Sequence, residues 1–180
     1  RVYSASLSDP WFGGVQPVQF STSFSHTKQY RYNYFTGRVD KSASFEITGA
    51  SIGLAKRLRI PDDYFTLSQS LAYQYYNLNN YYTGLFPFGD GSSNNLSYTV
   101  ALSRNNTFTN PIFPLGGSEF VLSARFSLPY SLWNGVDYAN LGDLEKFQDD
   151  DGNPDPAKIE QEKFKWLEFY KIKFKGSWYT

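Results

Sequence analysis

Histidine, cysteine, activated serine and clustered carboxylates are the groups that most often do chemistry, and this sequence holds few of them. His26 is the only histidine in 180 residues, and there is no cysteine. A lone imidazole without a positioned carboxylate and nucleophile makes no catalytic triad. Without thiols there is neither a disulfide framework nor a thiolate metal site. No Gly-x-Ser-x-Gly elbow occurs, and no glycine-rich phosphate loop leads into a helix. These absences argue against an enzyme, and no cofactor is expected.

Two charged groupings remain. Asp149-Asp150-Asp151-Gly152-Asn153-Pro154-Asp155 places oxygen ligands close together, as a hard cation such as calcium requires. Counted from Asp149, an EF-hand spacing is partly met, with Asp151 third, Asn153 fifth and Glu160 twelfth. Pro154 takes the sixth place, where the sharp turn needs glycine, and no amphipathic helix leads in. A solvated acidic loop is the simpler account, so no metal is expected and Asp149, Asp151, Asn153, Asp155 and Glu160 stand as a weak candidate set. The second grouping is Lys171, Lys173 and Lys175, which share one face of a strand. In lipid a mid-membrane Lys would cost ~2–4 kcal/mol, so on a membrane strand this stripe must face water in a lumen. Arg125 and Glu46 are expected on the lumen side by the same argument.

The elements that must position these residues are β-strands. Leu96, Tyr98, Val100 and Leu102 alternate with Ser97, Thr99, Ala101 and Ser103. Phe120, Leu122, Ala124, Phe126 and Leu128 do the same, as do Tyr170, Ile172 and Phe174, and Val18, Phe20 and Phe24. A period of two gives each strand one apolar and one polar face. Strands are expected over 2–9, 17–27, 44–59, 64–76, 95–104, 119–130 and 167–179. In the third, the apolar parity changes between Phe45/Ile47 and Ile52/Leu54, which predicts a bulge near Gly49. Helix-forming composition predicts one or two helical turns over 159–165.

Several of these strands reach the ~9–11 residues that a tilted membrane strand needs. No apolar run approaches the ~18 residues of a membrane helix, but strands apolar at every second position read as polar on average. Long connections at 26–43, 77–94 and 131–166 alternate with shorter ones rich in Pro, Gly, Asp and Asn. Outer-membrane barrels have this asymmetry, with long loops outside and short turns in the periplasm. Aromatics including Trp11, Phe12, Tyr64, Phe65, Phe108, Phe113, Tyr130, Trp133 and Trp178 gather at strand ends, where amphipathic rings suit a membrane interface. The expected class is all-β: about seven antiparallel strands of a larger transmembrane barrel, embedded in the bacterial outer membrane with the lipid bilayer as partner. Seven strands with open edges are not stable in lipid, so the chain reads as a fragment whose first and last strands pair outside it. Formal charge is zero, from 17 basic and 17 acidic residues, so nucleic acid is not an expected partner.

Three turns carry a family resemblance. Ser8-Asp9-Pro10-Trp11-Phe12-Gly13-Gly14 resembles the turn that ends an early barrel strand in the BamA superfamily of outer-membrane assembly barrels. Arg59-Ile60-Pro61-Asp62-Asp63-Tyr64-Phe65 resembles the tight periplasmic turn of the next hairpin. Thr109-Asn110-Pro111-Ile112-Phe113-Pro114-Leu115-Gly116-Gly117-Ser118 resembles a third turn of the same family. The resemblance implies a sixteen-stranded barrel preceded by periplasmic POTRA domains, of which this chain would supply about the fourth to the tenth strand. It implies a barrel that folds and inserts other outer-membrane proteins through a seam between its first and last strands. The implied partners are unfolded outer-membrane proteins as clients and accessory assembly lipoproteins or surface subunits. That seam lies outside this sequence, so only turn positions carry over: Asp9, Pro10, Trp11, Phe12, Pro61, Pro111, Phe113, Pro114 and Gly116. The rival functional reading is a secretion pore or porin-like transport channel, in which the Lys stripe sets selectivity. A soluble β-sandwich would instead bury its apolar face under a second sheet.

Overall fold

A computed structural model describes residues 1–14, 17–107, 116–149 and 151–179. The seven alternating segments form one antiparallel sheet in simple sequence order. Its strands are β1 Val2–Asp9, β2 Val18–Asn33, β3 Arg38–Arg57, β4 Phe65–Asn79, β5 Gly91–Asn105, β6 Gly117–Ser127 and β7 Tyr170–Tyr179. Every neighbour in space is a neighbour in sequence, as hairpin connections require. The sheet is open: β1 and β7 each have one strand edge without a partner among the described residues. One α-helix, α1 Pro156–Phe164, lies in the last long connection after three short 3-10 turns, and it starts about one turn earlier than expected. Its start follows from Asp155, whose carboxylate accepts the Ala157 and Lys158 amides, with Pro156 as the first helical residue.

The expected long connection at 26–43 is mostly strand. β2 and β3 run on as a protruding hairpin closed by residues 34–37. Charges had interrupted the alternation there, but the same charges hold the ladder together. Lys28 pairs with Glu46, and Arg31 bonds Asp40 at 2.8 Å. The tip closes because the Asn33 side chain accepts the Phe35 and Thr36 amides and Gly37 takes φ of 64°. The other two connections on this side span 80–90 and 128–169. β6 stops at Ser127, just short of Pro129, which has no amide to give a ladder.

The expected bulge at Gly49 is absent. Pairing runs unbroken through Ser25–Gly49–Gln74, and the register shifts instead between Tyr30 and Arg31. The parity change at Phe45 and Ile47 has another cause. Those side chains belong to the polar face, at its loop end, where a small core covers them. Phe45, Leu78, Phe86 and Phe88 are buried there, and Ile47, Tyr76, Tyr81, Phe164 and Leu167 pack on them. Residues 80–90 and α1 thus fold over one end of the polar face. Phe86 stacks on Phe88 at 5.3 Å and meets Phe164 edge-on at 6.3 Å.

The end of the long connection seals an exposed ladder. β5 outruns β6, so its backbone near Asn94 would lack a partner on one side. Residues 165–167 supply it, with Asn94 N–H donating to the Lys165 carbonyl and Leu167 N–H to the Asn94 carbonyl, both at 2.8 Å. This parallel bridge delays β7, which begins at Tyr170 rather than at 167.

Candidate functional site: the two faces of the sheet

Paired residues in an antiparallel ladder share a face, so the register sorts every strand side chain. Leu7, Thr22, Ile52, Leu71, Tyr98, Phe126 and Tyr170 form one row across all seven strands. Phe20, Leu54, Gln69, Val100, Ala124 and Ile172 form the next, and Val18, Lys56, Leu67, Leu102, Leu122 and Phe174 the one below. Nothing among the described residues covers this apolar face. Leu7, Ile52, Ile172 and Phe174 are 64%, 53%, 71% and 72% exposed. An apolar expanse of this extent is rare on a monomer in water.

Two polar groups inside the apolar rows, Gln69 and Thr22, are neutralised locally, whereas Lys56 stands in the last of these rows, at the turn end of β3. Gln69, the exception to the alternation of β4, accepts a hydrogen bond from the Tyr98 hydroxyl at 2.6 Å. Thr22 donates its hydroxyl to the Ser51 carbonyl at 3.1 Å. Each closes a polar valence that an apolar environment would leave unpaid. Aromatic rings stand at both ends of this face, eight residues apart within β7 (Tyr170 and Trp178) and within β4 (Phe65 and Tyr73). Eight residues of strand rise about 27 Å, which a tilt of about 40° reduces to about 20 Å of height.

The opposite face is small and polar. Ser4, Ser6 and Ser8 of β1 lie beside Ser21, Ser23 and Ser25 of β2, followed by Gly49, Ser51 and Gly53 of β3. A Cβ at Gly53 would lie 2.8 Å from the Ser21 hydroxyl, so a larger residue there would make the Ser21 side chain turn away. Towards β7 the face becomes cationic. Arg125 pairs across from Lys171, and Ser123 across from Lys173. Arg125 donates from Nε and Nη2 to the Ser97 hydroxyl, at 3.1 and 2.9 Å, and lies over the Phe169 ring. Lys171, Lys173 and Lys175 are exposed and form no ion pair among the described residues.

Arg125 and the three lysines therefore come together on the polar face. Glu46 does not join them. It shares the face of Ile52 and Leu54 and pairs with Lys28 beyond the apolar rows, near the loop end. Its even-numbered position fixes this face, since no bulge intervenes at Gly49.

The first two turn motifs, and the described end of the third, lie together at the opposite end. The Asp9 carboxylate accepts the Trp11 amide at 2.9 Å, and Phe12 stacks on Phe20 at 5.0 Å, turning the chain after Pro10. Pro61 lies in the next turn. Pro111, Phe113 and Pro114 fall outside the described residues, whereas Gly116 immediately precedes β6. Arg104 was not singled out by sequence, yet it ties two of these turns. It bonds Asp62 at 2.9 Å and the Ser118 hydroxyl at 2.7 Å, and it lies over the rings of Tyr64 and Phe65. The signal available was a cation continuing the even-numbered apolar series of β5, two residues after Leu102.

In the acidic loop, the carboxylates serve the backbone. Asp149 accepts the Asp151 and Asn153 amides at 3.0 and 2.8 Å, and Asp155 caps α1, which carries Glu160. Among the described residues no three His or acidic side chains converge on a common point. His26 Nδ1 is within 2.9 Å of the Thr48 hydroxyl, and the ring stacks with Tyr3. No known protein-family pattern matches the sequence, and no curated protein matches it.

Proposed function

We propose that this chain is a wall segment of an outer-membrane β-barrel whose work is to fold and insert other barrel proteins. The observation that carries the membrane reading is the seven-strand apolar face, continuous in register and bare, backed by a face of serine, glycine and lysine. Lipid is the environment that accepts the first while water in a lumen accepts the second. The local neutralisation of Gln69 and Thr22 and the aromatic rings at both ends support the same reading. The open edges then require further strands, because unpaired backbone in lipid costs several kcal/mol per group.

The assembly role rests on the turn motifs that resemble the BamA superfamily. A further support is the aromatic core at the loop end, which lies over the polar face where an open channel would need its mouth. Assembly of this kind breaks no bond. An exposed strand edge pairs with the incoming strand by β-augmentation, and locally thinned bilayer lowers the insertion barrier. This segment would be the static wall. A transport channel is the second reading, favoured by the cationic stripe of Arg125, Lys171, Lys173 and Lys175, which would select anions.

Single-cysteine labelling tests the membrane reading, since the chain has no cysteine of its own. In bilayers, Leu122→Cys and Ile172→Cys are expected to react only with a lipid-soluble reagent, and Ser123→Cys and Lys173→Cys only with a water-soluble one. Equal protection of all four from both reagents would mean a sheet buried on both faces. With the membrane reading secured, faster folding of a client barrel into vesicles holding the full-length protein supports assembly. A steady anion conductance without that acceleration supports transport.

A further inference from the structure

At the turn end of β3 and β5 and in the turn that follows β3 stand four cations with different fates. Arg104 is held by Asp62 and Ser118. Lys56, Arg57 and Arg59 have no carboxylate partner among the described residues, and Arg57 bonds only a backbone carbonyl, that of Asp63. These three line one cleft of about 560 Å³ together with Pro17, Leu58, Ile60 and Asp63, whose backbone carbonyl accepts from Arg57. Lys56 is the more telling, because it stands in an apolar row between Val18 and Leu67. Its ammonium must reach past the end of the apolar face to find a counter-charge.

We propose that this cleft binds the anionic headgroup of a membrane phospholipid at the turn-end interface. The inference rests on the membrane reading above. Two features select a lipid over a free anion or an acidic protein. Beside the cations stand Pro17, Leu58 and Ile60, the last 84% exposed in the turn itself, where a glycerol and the first methylenes of an acyl chain would lie, with Asp63 the acidic member of the lining. The cleft also continues the apolar face, so a chain seated along that face brings its phosphate to Lys56 and Arg59. Basic side chains beside a membrane each strengthen binding of anionic lipid.

The test uses the full-length protein in nanodiscs of phosphatidylcholine with or without phosphatidylglycerol, followed by native mass spectrometry of retained lipid. Phosphatidylglycerol is expected to be retained over phosphatidylcholine. Lys56→Gln and Arg59→Gln are each expected to lower its retention roughly fivefold, while Lys171→Gln, on the opposite face, leaves it unchanged. Equal retention of both lipids, or an unaltered preference in the double variant, overturns the proposal. So does displacement by millimolar inorganic phosphate, which would mark a free-anion site. Salt-sensitive capture of polyglutamate, lost in the double variant while lipid retention stays constant, would mark a protein-docking surface and also overturn it. Failure of the protein to enter either nanodisc would defeat the membrane reading itself, and the lipid site with it.

Discussion

At the scale of the residue, the most informative positions are polar groups inside the apolar rows. Gln69 breaks the alternation, and a sequence can register only the exception. The structure supplies its compensation in Tyr98, which pairs with Leu71 and so stands diagonal to Gln69 across the β4–β5 ladder, in the neighbouring row. The hydroxyl donates at 2.6 Å, so the amide oxygen is not left bare on the apolar face. Tyr98→Phe is expected to destabilise the protein by about 1–2 kcal/mol, because an unsatisfied acceptor remains in an apolar setting. Adding Gln69→Leu removes that acceptor and is expected to recover most of the loss. Urea midpoints of the full-length protein in vesicles measure the cycle. Strictly additive losses would mean that the two side chains do not interact. Arg104 teaches a related lesson. By parity it belongs with the apolar series of β5, but at the strand's end it turns to Asp62 and Ser118 and joins two turns.

At the scale of the element, the β2–β3 hairpin differs most from expectation. A tip rich in charge reads as loop when alternation is the only guide. Cross-strand ion pairs and the Asn33 turn make it strand instead. Asp40 lies in this projecting part, beyond the apolar rows. The hydroxyl of Ser42 holds its carboxyl well below the ordinary carboxylate range, with the Arg31 guanidinium and the Ser42 amide adding to the effect, to about 2. A depressed folded value means that the ionised form is the one the hairpin stabilises. Its contribution is present above the ordinary value near 3.8 and is lost as pH falls through about 2. The Ser42 amide is therefore expected to stay protected from hydrogen exchange at pH 4 and to open as acid reaches pH 2. In Ser42→Ala the opening should move to higher pH. Opening at the same pH in both proteins would show that the Ser42 hydroxyl does not hold the carboxylate.

The parity change in β3 belongs to the same scale. A switch of apolar residues from one face to the other can arise from an inserted residue or from a change of surroundings. Here the backbone is regular through Gly49, and what changes is the cover on the polar face. Phe45 and Ile47 meet residues 80–90 and α1 rather than water. Alternation detects which side chains are apolar, but it does not say what stands opposite them.

At the scale of the whole molecule, the open sheet makes a firm demand on the membrane reading. The outer edges of β1 and β7 have no strand beside them among the described residues. Lipid does not replace those backbone partners. In the full-length protein in bilayers, amides along both edges are expected to exchange about as slowly as those of β4, which is paired on both sides. Rapid exchange along β1 and β7, with β4 protected, would mean edges open to water and would rule against a closed barrel.

The period-two pattern determined the all-β class, the number of strands, and which residues share a face in the strands whose alternation is unbroken. Those features are local, since pleating sends successive side chains to opposite sides whatever the partner strand. The placement of Lys171, Lys173 and Lys175 on one polar face with Arg125 was legible for that reason. What only the tertiary structure decided depends on register and on distant chain. It placed Glu46 beside Lys28 on the other face, moved the irregularity from Gly49 to Tyr30, and closed the loop end with Phe86, Phe88 and Phe164. It also gathered Lys56, Arg57 and Arg59 into one cleft with Pro17, which lies in a different turn. No local period encodes such meetings, because each joins segments far apart in sequence and is settled by packing and charge compensation across strands.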